Sequence, residues 1–238
     1  RIFRLDGEPA QIDVLVVDNS KEEGYDKKIE SYGFKVIRSE WHEWPKIRIV
    51  KSREIIRKYV LDNGYDYWFS LEQDVIPPVT ILEELIGHNK DVVGAFYMIG
   101  QGSDRKMPCV RIGWFKDGEQ TDNPLDFVEK CLGRERLVKV WMGSFGCTLI
   151  KRNVLEKIKF HVTIGNPKIH DDTYFYINCE IAGIDVYVDS DLLVPHFQSN
   201  WYEEEVMSRS PERRSERRDV RAQKINQESE LDGKSNTR

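Results

Sequence analysis

The chain of 238 residues is most informative first for what it lacks. No apolar run approaches the roughly 18–20 residues of a membrane span. No secretory leader stands at its start, which is Arg1 rather than a methionine. Cysteine is scarce: Cys109, Cys131, Cys147 and Cys179 lie far apart without a CxxC pair. That pattern reads as four reduced, mostly buried thiols and sets aside a disulfide framework or a zinc site. Positive charge is not in excess, since 36 Lys and Arg face 41 Asp and Glu for a net charge of -5. The surface therefore offers no basic footprint, and nucleic acid is not an expected partner. Internal repeats are missing. So is a glycine-rich, basic phosphate loop near the N-terminus, which a nucleotidyltransferase-type phosphoryl enzyme would call for. What is left is a cytoplasmic globular protein, with the inner membrane surface as an alternative location.

Against that background one stretch stands out, Tyr67-Trp68-Phe69-Ser70-Leu71-Glu72-Gln73-Asp74-Val75-Ile76-Pro77-Pro78. It opens as an aromatic-rich apolar run suited to a central strand. It then presents Glu72 and Asp74 at the strand end and stops at two prolines that cannot continue a ladder. Residues i and i+2 of an extended segment point the same way, so both carboxylates can converge on one hard cation. Mg²⁺ and Mn²⁺ suit such ligands, with substrate phosphates completing the shell. A loop with two solvated acids is the plain alternative.

The rest of the chain supplies a frame. Ile12 to Val17 reads as a buried strand of a parallel sheet, ending in the turn residues Asp18-Asn19-Ser20. A helix over Glu22 to Tyr32, a strand over Phe34 to Arg38 and a helix over Lys46 to Asn63 follow. The two helices are closed by Gly33 and Gly64. After the pivotal strand come a helix from Val79 to Ile86 and a strand from Asp91 to Tyr97. Alternation at this spacing predicts an α/β doubly wound, mostly parallel sheet, whose ligands sit at the carboxyl ends of its strands. Asp18, Glu72 and Asp74 all fall at such ends. Beyond a loop at Gly100 to Lys106, strands are expected at Cys109 to Trp114, Leu137 to Trp141 and Cys147 to Ile150. A short helix is expected around Leu125 to Cys131 and another from Asn153 to Ile158. A helix opens at His170-Asp171-Asp172-Thr173 and runs to Ala182, and two short strands, Asp185 to Val188 and Leu192 to Val194, lead to His196. From Glu203 onward charge of both signs dominates. The chain is therefore divided into a domain over 1–202 and a charged C-terminal extension over 203–238, disordered or a surface helix.

Three islands, in order, carry a resemblance. They are Tyr67 to Asp74, then Gly143-Ser144-Phe145-Gly146-Cys147-Thr148-Leu149-Ile150, then Asp171-Asp172-Thr173-Tyr174-Phe175 with Gly183-Ile184-Asp185-Val186-Tyr187-Val188 through His196. Over residues 12 to 197 this resembles the family-2-like glycosyltransferases of the GT-A fold. Their pattern is a strand ending in D-x-D, a G-x-G-C-x-L-I segment, an E-D-x-x-F helix start and a late strand ending in His. Here Glu72 replaces the first Asp and Asp171 replaces the Glu. Ile12 to Val17 matches the family's second strand, so the chain is expected to begin inside the preceding helix.

The resemblance implies a GT-A (Rossmann-like) three-layer sandwich with a mostly parallel central sheet. It implies metal-dependent, inverting transfer from a nucleotide diphosphate sugar donor to a hydroxyl acceptor, whether a glycan, a lipid-linked sugar or a small molecule. Asp74 and His196 are the implied ligands of Mn²⁺ or Mg²⁺, although a structural loop histidine is an equal reading of His196. Asp172 is the implied general base, with Asp171 beside it to position the acceptor. Helix capping and the helix dipole explain the same two acids. Asp18, Arg53, Glu72, Asp74 and Gly143 are the candidate nucleotide-sugar contacts. For Asp18 an Asx-turn is the alternative, and for Lys51 and Arg53 a solvated helix face. Trp41, Trp44 and Trp114 can stack on a base or sugar, or simply pack. Peripheral membrane association is an option for the charged extension. Besides the phosphoryl enzyme, a catalytically inactive nucleotide- or sugar-binding module of the same fold is the rival reading.

Overall fold

The computed structural model describes residues 11–100, 106–113, 115–116, 119–120, 125–163 and 170–197. The expected boundary at 202/203, most of the loop at Gly100 to Lys106, and Trp114 lie outside the described residues.

The elements run β1 (Leu15–Asp18), α1 (Tyr25–Glu30), β2 (Lys35–Arg38), α2 (Pro45–Asp62), β3 (Tyr67–Leu71), α3 (Ile81–Gly87) and β4 (Val92–Phe96). Two small hairpins follow, β5 (Met98–Gly100) with β6 (Lys106–Pro108) and β7 (Phe115–Lys116) with β8 (Glu119–Gln120). Then come α4 (Leu125–Leu132), β9 (Leu137–Val140), β10 (Cys147–Lys151), α5 (Arg152–Lys157), α6 (Asp171–Ile181) and β11 (Val186–Leu193). Gly33, Gly64 and Gly183 close α1, α2 and α6 with positive φ, the left-handed step that lets a helix stop without a Cβ clash.

The central sheet has five strands in the order β3-β10-β4-β11-β9. It is mixed, which corrects the expectation of a mostly parallel sheet. Only β4 and β11 pair parallel; β10 runs antiparallel to both β3 and β4, and β9 antiparallel to β11. The reason is visible in β10, whose first four residues are all buried. A strand covered on both faces is continuously apolar whichever way it runs, so its pattern carries no direction. The parallel pair β1–β2 forms its own two-stranded sheet rather than joining the central one. Two further corrections concern strands. The expected strand at Cys109 to Trp114 is only a bridge between Arg111 and Met142. The two short strands before His196 are one, β11, with a register shift between Val188 and Leu193 that absorbs the polar Asp189-Ser190-Asp191.

Strand alternation sorts the core into two layers. Trp68, Val92, Phe96, Ile150, Val186 and Val188 face a cluster shared with residues of α2, α4, α5 and α6. Val93, Ala95, Tyr97, Cys147 and Leu149 face a second cluster with Ile81 and Leu85 of α3. The sheet thus lies between two helical layers, each apolar side chain worth about 1.5–3 kcal/mol when fully buried. At Gly94 the strands approach closely, since a Cβ there would come within 2.7 Å of Thr148 Oγ1 and 2.9 Å of the Cys147 carbonyl.

The buried positions of helix α2 are Ser52, Arg53, Arg57 and Val60, a stripe of one-turn spacing that carries two guanidinium groups. Arg57 satisfies the carbonyls of Leu155 and Ile158 at 2.7 and 2.8 Å and pairs with Glu54. Buried charge of this kind persists only when paired, and Arg53 is paired within the candidate site.

Candidate active site

The site forms where β3 ends. The Glu72 N–H donates to the Gly146 carbonyl at 3.0 Å, and the Ile76 N–H donates to the Pro195 carbonyl at 3.1 Å. An antiparallel bridge joins Val75 to His196. These backbone contacts bring the acidic loop against the end of β11, and they set His196 Nε2 3.2 Å from Asp74 Oδ2. The imidazole stacks on Tyr97, centroids 4.4 Å apart and planes 11° from parallel. Its Nδ1 is buried with no hydrogen-bond partner among the described residues. Burial holds the Tyr97 phenol well above its ordinary pKa, so it acts as a neutral wall under the imidazole.

The second half of the site is the start of α6. His170 is the N-cap and makes no side-chain capping bond, while Asp171 and Asp172 occupy the first turn. Both acids thus stand where the helix dipole favours negative charge. Asp171 is 3 % exposed, and its carboxylate accepts a short hydrogen bond from Arg53 Nη1. Burial pushes the Asp171 carboxyl up, Arg53 pulls it back, and neighbouring Asp172 adds to the rise. Asp172 is partly buried, and its Oδ1 accepts from the Thr173 backbone N–H at 2.6 Å.

Arg53 joins the halves. Nη2 reaches Glu72 Oε1 at 2.8 Å, and the guanidinium lies 4.1 Å from the centroid of the Phe145 ring. Glu72 is pushed up by burial against the pull of Arg53, with Asp74, Asp172 and Asp171 adding repulsion in that order. The structure therefore brings Glu72, Asp74, Asp171 and Asp172 near one another, with Arg53 bonded to Glu72 and Asp171 and His196 to Asp74. The solvated-face reading of Arg53 is corrected by its 8 % exposure; Lys51, by contrast, is a surface partner of Glu40 at 2.7 Å.

Two expected contacts are placed differently. The Asp18 carboxylate is buried and occupied, with Oδ1 accepting from the Ser20 N–H at 2.9 Å and Oδ2 from Arg38 at 2.9 Å. This is the Asx-turn alternative, reinforced by an ion pair. Gly143 packs inward, since a Cβ on it would meet Val188 Cγ2 at 3.3 Å and the Tyr176 hydroxyl at 3.4 Å. The close approach instead belongs to Gly146, where a Cβ would stand 2.6 Å from Glu72 Oε2 and 3.0 Å from the Tyr97 hydroxyl. Sequence reasoning missed Tyr97 and Gly146 as parts of this cluster. An aromatic residue closing a strand that points to the crevice was the available signal for Tyr97; for Gly146, the second glycine of the small-residue segment.

No group of three or more His, Cys, Asp or Glu side chains is arranged for a cation among the described residues. The donor set available is the Asp74–His196 pair, one hard oxygen and one imidazole nitrogen. It fits a divalent ion whose remaining positions are filled by phosphate oxygens and water. No helix among the described residues is long and apolar enough to cross a membrane.

No family model matches the sequence, and no curated protein matches it. Solved structures do. The chain is similar to GalNAc-T7 crystallised with UDP, GalNAc and Mn²⁺, at 15% identity and a TM-score of 0.54, over 77% of this chain and 37% of that one. It is also similar to A197 from STIV (20% identity, TM-score 0.45, 78% and 84% covered). A mycobacterial protein matches at 15% identity and a TM-score of 0.45, with 79% and 58% covered. The likeness to GalNAc-T7, a GT-A glycosyltransferase, is one of fold. The chain spans little more than a third of that protein's length.

Proposed function

We propose that this protein transfers a sugar from a nucleotide diphosphate sugar to a hydroxyl acceptor, with a divalent cation and with inversion at the anomeric carbon. The observation that carries the reading is the Arg53 fork, which joins Glu72 of the acidic loop to Asp171 of the α6 turn, with the Asp74–His196 pair in the same loop. The fold it shares with a glycosyltransferase solved with UDP, GalNAc and Mn²⁺ supports it.

In this reading Asp74 and His196 hold the cation. When bound, it neutralises the charge of the departing diphosphate. Asp172 takes the proton from the acceptor hydroxyl, whose oxygen forms the new bond to the anomeric carbon as the bond from that carbon to the diphosphate breaks. The face opposite the leaving group is the one a base must occupy for inversion. Asp172 suits the task because its partner is a backbone N–H rather than a cation, whereas Asp171 is committed to Arg53.

The test is thermal stability with a panel of nucleoside diphosphates and their sugars, with and without Mn²⁺. A ligand at about 100 times its dissociation constant adds ~2.7 kcal/mol. The expected result is a Mn²⁺-dependent shift with one nucleotide class, lost in Asp74→Ala. Asp172→Asn keeps that shift and loses turnover. Turnover retained in Asp172→Asn removes Asp172 from the base role, and no shift with any nucleotide overturns the reading.

A further inference from the structure

We propose that Arg53 is a positioning residue: its guanidinium fork fixes the separation between the acidic loop that carries Asp74 and the helix turn that carries Asp172. The inference rests on the transferase reading for its functional meaning. It departs from the sequence expectation that Arg53 contacts the donor.

The geometry gives three grounds. The first is where the fork lands. Arg53 holds Glu72, two residues before Asp74, and Asp171, one residue before Asp172. Each arm grips the neighbour of a reactive group and leaves the group itself open. The second is the support behind the fork. The guanidinium rests on Phe145, and Phe145 is fixed edge-on by Trp68, Phe160, Phe175 and Tyr176 at 5.1–6.1 Å. On the backbone side, Asn19 Nδ2 donates to Ser52 Oγ at 3.0 Å and ties α2 to the end of β1. The third is that the Gly146 backbone closes on the Oε2 side of Glu72, where even a methyl would stand 2.6 Å away.

A phosphate seeking Arg53 has to displace a bonded carboxylate, Glu72 or the buried Asp171, from one of the two arms. Lysine cannot replace the residue, since an ammonium is a single point charge and cannot present two diverging donors in a fixed plane. Arg53 also offsets part of the repulsion between Glu72 and Asp171, the two acids that it bonds. Position and charge compensation thus come from one side chain.

The experiment reads separation directly and without metal. A nitroxide is attached at Val79→Cys, a site 94 % exposed just beyond the acidic loop, in a Cys131→Ser background. Its broadening of the Thr173 and Tyr174 amide resonances is measured in the unsubstituted protein, in Arg53→Lys and in Arg53→Met. Both substitutions are expected to change that broadening at least twofold while leaving the amides of β4 unaltered. With the sugar nucleotide found above, kcat is expected to fall 100-fold or more with KM for the donor held within threefold. Unchanged broadening overturns the inference, and so does a KM raised tenfold with kcat kept, which is the mark of a donor contact. If Arg53→Met does not fold, Arg53→Met/Glu72→Gln/Asp171→Asn takes its place, since it leaves no buried charge unpaired, and the same results decide. Absence of turnover in the unsubstituted protein counts against the transferase reading alone, because the nitroxide measurement still tests whether Arg53 sets the separation.

Discussion

At the scale of single residues, the site depends on side chains that are absent as much as on those present. Gly146→Ala places a methyl against Glu72 Oε2 and the Tyr97 hydroxyl. Because the atom met first is the end of a side chain, the fold survives, but Glu72 must rotate away from Arg53. The expected outcome is a stability loss of about 1–2 kcal/mol, at the low end for overpacking, with a larger loss of turnover, checked by urea midpoints beside initial rates. Gly94→Ala is the contrasting case, since the atoms it meets include the backbone carbonyl of Cys147. There the expected loss is about 3 kcal/mol or more, read from the same melts, and no repacking of a side-chain tip relieves it. The thiols are a third residue-scale case. Burial raises Cys109 to about 11, and Cys147 and Cys179 to about 12. Alkylation of the native protein at neutral pH is expected at Cys131 before the other three, as mass spectrometry of timed samples will show.

At the scale of elements, the break in β11 is secured by charge. Asp189 is fully buried and accepts from His88 Nε2 at 2.7 Å, from Arg136 at 3.1 and 3.2 Å, and from the Asp191 N–H at 2.9 Å. Asp189→Ala leaves the Asp191 N–H and His88 without this acceptor while Arg136 stays half exposed, and a loss of about 1–3 kcal/mol is expected in denaturant unfolding. The sequence reading of this region as two strands had good reason, because a polar Asp-Ser-Asp inside a strand reads as a turn. Its partners lie in α3's C-cap and before β9, and no local pattern announces them. The same contrast runs through the whole molecule. Helices with glycine stops and the acidic loop with its two prolines were legible, because their signals lie within a few residues. The direction of β10 was not, since burial on both faces erases period and polarity. Arg53 was visible as a charge, but its partner Asp171 is 118 residues away. For the site, the acids were legible as a set through their order along the chain. The arginine that gathers them, the glycine that gives them room and the tyrosine beneath His196 are matters of packing.

At the scale of the whole molecule, the acidic cluster links stability to pH. Burial raises the Asp171 carboxyl above its ordinary value, so the folded chain holds this proton more tightly than the unfolded chain does. Stability therefore falls as pH rises from the ordinary carboxylate value through the raised one, and this contribution is flat outside that window. In Asp171→Asn that slope is expected to shrink to the part that Glu72 contributes, since its carboxyl is raised as well, as urea midpoints taken across the acid range will show. The order of the central sheet has a consequence of another kind, for the chain during its synthesis. β3 and β4 do not pair with each other; β10 lies between them, and about 55 residues separate the end of β4 from the end of β10. At roughly 5–20 residues per second, the ribosome needs about 3–11 s to make that stretch. Throughout that interval two largely apolar strands have emerged without the partner that both require. The nascent chain thus exposes facing edges of both strands until Cys147 to Lys151 appear.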